Sequence, residues 1–118
     1  MAKAKRYCLT LDLKDDPQLI AEYEAYHRAV WPEVMHSITE SGIIDMEIYR
    51  WGNRLFMMME VEESFSFEKK AVADAANERV QEGEALMWRY QQGLPGALPG
   101  EKWKKMEPIF SLSGQKEM

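Results

Sequence analysis

The sequence predicts an α+β fold of the ferredoxin-like type with element order βαββαβ. Three observations predict it: an alternating apolar segment near the start, two β-rich segments around a two-residue turn, and long stretches at helical spacing after the first and third strands.

From Tyr7 to Leu13 the odd positions Tyr7, Leu9, Leu11 and Leu13 are apolar, with Thr10 and Asp12 between them, the pattern of a half-buried strand. Asp15-Asp16-Pro17 reads as a helix N-cap with proline in the first turn, and Leu19, Ile20, Tyr23, Tyr26, Val30, Val34 and Ile38 continue at helical spacing to a stop at Ser41-Gly42. Within that helix, Pro32 offers no backbone NH to the carbonyl of Arg28, which predicts a bend just past His27.

Ile43–Trp51 and Arg54–Val61 flank Gly52-Asn53, a turn pair tolerant of positive backbone angles, and predict an antiparallel hairpin. The second of these strands reads Leu55-Phe56-Met57-Met58-Met59, apolar at both parities, so both sheet faces need cover. Helices on one face and a twin sheet on the other satisfy that need, which predicts a homodimer packed as a dimeric α+β barrel. Phe65 to about Gln92 is helical in character, with Gly83 as the expected break, and Gly93–Gly100 is a loop. Met106–Leu112 is the expected last strand, placed at an edge by Pro108.

Composition narrows the function classes. The 118 residues suit one domain, 1–118, and 46% hydrophobic against 30% charged residues is a globular balance. A net charge of −5 with scattered basic residues argues against nucleic-acid binding, and no run has the length of a membrane span. The single Cys8 makes no internal disulfide, and the basic start at Met1–Arg6 leads into a strand, not an apolar leader, which favours the cytoplasm.

Of the side chains able to do chemistry, His27 stands out, because a neutral imidazole donates from one nitrogen and accepts at the other near physiological pH. At helical spacing Tyr23, His27 and Trp31 fall on one stripe; Tyr23 can orient the imidazole or bond a hydroxyl, and Trp31 is either a pocket wall or a packing anchor. His36, nine residues from His27, falls on the opposite side of a continuous helix, so no metal is expected. Paired carboxylates, a glycine-rich phosphate cradle and a serine nucleophile elbow are not discernible, and no cofactor is expected.

Glu22-Tyr23 through His27 to Trp31-Pro32-Glu33, the Arg6–Leu13 opening, Ile48-Tyr49, Trp88-Arg89-Tyr90 and the closing Glu107-Pro108-Ile109-Phe110 together resemble the L-rhamnose mutarotase family over nearly the full length. The resemblance implies a dimeric α+β barrel and a cofactor-free isomerase that interconverts the α and β anomers of a 6-deoxy-L-hexopyranose, expected to be L-rhamnose. It implies His27 as the acid/base group, with Tyr23, Met46, Met87, Trp88 and Trp31 as substrate contacts. Members of the family typically carry a tyrosine where this chain has Met46 and a tryptophan where it has Met87, so L-fucose is the alternative substrate. A monooxygenase of the same barrel architecture and a non-catalytic ligand-binding dimer are the readings from other classes.

Overall fold

The computed structural model describes residues 5–97 and 102–112. The order is β1 (Lys5–Leu13), α1 (Pro17–Arg28), α2 (Pro32–Glu40), β2 (Ile43–Trp51), β3 (Arg54–Val61), α3 (Phe67–Ala75), α4 (Glu78–Trp88), β4 (Gln91–Gln92) and β5 (Lys104–Lys105). All pairings are antiparallel in the spatial order β2-β3-β1-β4, with β5 also on β1. This is the ferredoxin-like arrangement with each crossover helix split in two.

The pleat sorts the side chains by face. Leu9, Leu11, Leu13, Leu55, Met57, Met59 and Val61 are buried under the helices. The opposite face carries Cys8, Thr10, Phe56 and Met58, all half-buried, and the exposed Tyr49 and Trp51. The double apolarity of β3 is therefore real, and only one of its faces is covered by helices of the chain.

Three local expectations are corrected. The helix carrying His27 does not bend just past that residue but breaks: Trp31 takes φ −56°, ψ 135°, the extended conformation that a following proline imposes, and Pro32 begins a new helix. The break in the second helical stretch lies at Ala76-Asn77, where the Asn77 side chain caps α4 by accepting from the NH groups of Arg79 and Val80. Gly83 lies inside α4, where a Cβ would stand 3.3 Å from Val34 Cγ2 and 3.6 Å from the Trp31 ring, so its missing side chain lets α2 approach α4. In the hairpin turn only Gly52 has positive φ (60°), as in a turn with glycine at the first central position.

The third correction concerns the sheet edge. Residues 106–112 form no strand; β1 is instead paired by two short pieces, Gln91–Gln92 against Asp12 and Leu13, and Lys104–Lys105 against Leu9 and Thr10. Stepping four residues back along β1, from Leu13 to Leu9, advances the partner by fourteen, from Gln91 to Lys105, so the two pieces are separated by ten residues more than one continuous edge strand would hold. The Gly93–Gly100 segment falls between them, its residues 98–100 outside the described residues, as are the basic Met1–Ala4 and the tail Ser113–Met118. No helix among the described residues is long and apolar enough to cross a membrane.

Candidate active site

α1 is fixed at both ends of the stretch that matters. Asp16 caps its start by accepting from the NH groups of Gln18 and Leu19, with Pro17 in the first turn. On either side of Tyr23, Glu22 accepts from the Tyr90 hydroxyl (3.1 Å) and Glu24 pairs with Arg50 of β2. Tyr23 itself is buried, 3% exposed, in a cluster with Leu13, Leu55 and Tyr90.

One helical turn on, His27 is exposed and lies over the Tyr23 ring, centroids 4.4 Å apart. Its Nδ1 is 2.8 Å from the Tyr23 carbonyl oxygen. A carbonyl only accepts, so Nδ1 carries the hydrogen and donates. In the neutral ring Nε2 is then the unprotonated nitrogen, the one able to accept a proton.

Beneath His27, the Tyr23 hydroxyl accepts from Gln91 Nε2 at 3.4 Å. Burial raises the Tyr23 pKa above its ordinary value, against a smaller lowering by the Gln91 bond, so the phenol stays neutral and able to donate. Tyr90 is raised likewise by burial and, secondarily, by its bond to Glu22. Gln91 is 6% exposed and points, like its β1 partner Leu13, to the helix side.

The other expected contacts separate into two groups. Met87, half-buried on α4, packs on the Tyr23 cluster. Met46 packs on the neighbouring cluster of Leu9, Ile43, Met57, Met59 and Val61, and Ile48 and Trp103 touch both. Trp31 and Trp88 belong to neither cluster: Trp31 is turned to α4, with the Arg79 guanidinium 3.6 Å above its ring, and Trp88 lies 5.5 Å from Lys102 Nζ. The break before Pro32 is what takes Trp31 off the stripe of Tyr23 and His27.

Gln91 and Trp103 were not singled out by sequence reasoning. Gln91 reads as the end of a helix until its pairing with β1 is known, and a two-residue strand after Trp103 is too short for an alternation to show. A hint exists in Lys102-Trp103-Lys104-Lys105, a lone large aromatic among cations.

A groove away from His27, between α3 and α4, is lined by Phe67, Lys70, Asp74, Gln81 and Glu84. Its buried carboxylate, Asp74, is bonded by Lys70 (2.6 Å) and Ser37 (3.0 Å), the arrangement of a structural tie. His36 is exposed beside Glu40 at 3.1 Å. Among the described residues no group of three or more His, Cys, Asp or Glu side chains is placed to hold a metal ion.

The chain is 51% identical over 111 residues to an L-fucose mutarotase of Xanthomonas campestris pv. campestris, covering 92% of this chain and 89% of that one. It is 33% identical over 120 residues to a UPF0734 protein of Dictyostelium discoideum, covering 96% and 94%. In structure it resembles the L-rhamnose mutarotase of Formosa agariphila (TM-score 0.68, 21% identity, 92% and 98% covered). It also resembles the tetracenomycin F2 cyclase of Streptomyces glaucescens (0.59, 18%, 91% and 95%), and at such identities both show the ferredoxin-like fold alone. The L-rhamnose mutarotase family profile matches residues 6–112, nearly the whole described chain, and with the half-identical relative it makes this chain a member of the L-rhamnose mutarotase family.

Proposed function

We propose that this protein is a mutarotase that interconverts the α and β anomers of a 6-deoxy-L-hexopyranose in the cytoplasm, with His27 as the proton-transfer group. The observation that carries the reading is the bond from His27 Nδ1 to the Tyr23 carbonyl, which leaves Nε2 turned to solvent over a buried phenol. Unprotonated, Nε2 takes the proton of the anomeric hydroxyl as the C1 to ring-oxygen bond breaks; protonated, it delivers a proton to the ring oxygen. Rotation about C1–C2 and reclosure on the other aldehyde face complete the exchange, with no redox change and no cofactor. Acid/base assistance of this kind contributes roughly 10² to 10⁴ in rate.

L-Fucose is the favoured substrate. Met46 and Met87 supply apolar surface where the rhamnose type has a phenol and an indole, and the half-identical relative is an L-fucose mutarotase. Tyr23, Met46 and Met87 are the proposed wall of the sugar site, with Trp88 and Trp31 at its margin. The catalyst is a two-fold dimer in this reading, supported by the exposed Tyr49 (54%) and Trp51 (88%) on the uncovered sheet face, continuous with Phe56 and Met58.

The test is exchange NMR on the anomeric protons of L-fucose, L-rhamnose and D-glucose, with and without protein. Catalysed exchange of a 6-deoxy-L-sugar, L-fucose fastest, is expected. No acceleration over buffer for any of them overturns the reading.

A further inference from the structure

The Gln91 amide oxygen is buried and has no hydrogen-bond partner among the described residues, the one such side-chain atom there. Its amide nitrogen gives one hydrogen bond, to the Tyr23 hydroxyl at 3.4 Å. Turning the amide over exchanges which atom is left over and leaves the shortfall in place. A buried polar atom without a partner opposes folding, and methionine or leucine would fill the same space beside Leu13 and Tyr23 without that cost. An amide kept at such a position calls for a partner from outside the chain.

The surroundings say what kind of partner. Tyr23 accepts from Gln91, so its own phenolic hydrogen is available to an acceptor, while the Gln91 oxygen wants a donor. The two atoms thus present one donor and one acceptor side by side, the complement of a sugar hydroxyl, which both gives and takes. The Tyr23 ring packs 4.4 Å from the His27 ring, so the pair adjoins the group proposed to meet the anomeric centre.

We propose that Gln91 is a specificity-determining residue that reads the configuration of one ring hydroxyl of the sugar, in concert with Tyr23. This rests on the mutarotase reading above. L-Fucose and L-rhamnose differ at C2 and C4, and 6-deoxy-L-glucose differs from each at one of those centres, so the three sugars separate the two hydroxyls.

The experiment replaces the amide with an apolar group of similar length, Gln91→Met, with Gln91→Leu as a second variant. kcat/KM by anomeric exchange and Kd by calorimetry are measured for the three sugars, together with the melting temperature. The expected result is a loss of about ten- to a hundredfold for the preferred sugar, a change of less than about threefold for the sugar inverted at the recognised centre, and a melting temperature equal to or above wild type. A proportional loss for all three sugars with a lowered melting temperature makes Gln91 a mere support for Tyr23 and overturns the proposal. So does an unchanged preference in both variants. Wild-type protein that binds the sugars without exchanging them defeats the mutarotase reading, and the Kd ratios still decide Gln91. Wild-type protein that binds none defeats both.

Discussion

His27→Asn separates the two nitrogens of the imidazole. The asparagine amide nitrogen can take the place of Nδ1 and keep donating to the Tyr23 carbonyl, now accepting at 2.8 Å, while Nε2 is deleted without a substitute. His27 is exposed, and what the fold loses is its contact with the Tyr23 ring, so the stability change should stay under about 1 kcal/mol. The catalytic loss is set by the proton transfer: at least about a hundredfold in kcat, equivalent to about 2.7 kcal/mol of barrier, with little change in KM because the sugar wall is untouched. Exchange NMR on L-fucose supplies the rates, and circular dichroism with a thermal melt establishes that the variant is folded. A folded variant within a few-fold of wild-type kcat would refute the argument that Nε2 carries the protons.

Three further outcomes are expected. Light scattering at low micromolar concentration should give twice the 13.8 kDa chain mass, and Tyr49→Glu with Trp51→Glu should give a folded protein of chain mass; a wild-type monomer would defeat the dimer. Met46→Tyr with Met87→Trp should move the L-rhamnose to L-fucose ratio of kcat/KM toward L-rhamnose by about tenfold, and an unchanged ratio in an active variant would show that these positions do not select the sugar. Burial raises the Tyr23 pKa above 10.0, so below that pH both folded and unfolded chains hold the proton and stability is flat; as pH rises further the unfolded chain releases it first and stability falls. In urea titrations at about pH 9 and about pH 11, Tyr23→Phe should lose less stability than wild type, with Tyr90 supplying the remaining slope; equal losses would contradict the burial of the phenol.

What could be read in the chain follows from how local each signal is. The β2–β3 hairpin came out to the residue, because alternation and a Gly-containing turn act within a few positions of each other. The cap at Asp16-Pro17 was equally legible. The split at Trp31 was half legible: the proline gives a disturbance, but whether the helix bends or breaks depends on the packing of Trp31 against Gly83 and Arg79, forty-eight or more residues away in sequence. β4 was illegible, since Gln91 and Gln92 are good helix formers and only their pairing with Asp12 and Leu13 makes them a strand. Of the candidate site, Tyr23 and His27 share one helix and their proximity follows from spacing, whereas the approach of Gln91 to Tyr23 spans 68 positions and belongs to the tertiary fold.

The interrupted edge strand has a bearing on how such a protein diversifies. Its two pieces are anchored independently on β1, and lengthening a connection costs little, about 0.6 kcal/mol for each doubling. The edge therefore works as a socket into which segments of different length and composition can be exchanged while the sheet keeps its register. Gln91 lies in the first stem, bonded to Tyr23, and Trp103 just before the second, packed on the Tyr23 cluster, whereas His27 is held by the backbone of a separate helix. Variation in the socket would alter the surroundings of Tyr23 while the proposed proton-transfer group stays where it is, and a graft between stems is the economical place to begin redesigning the proposed sugar preference.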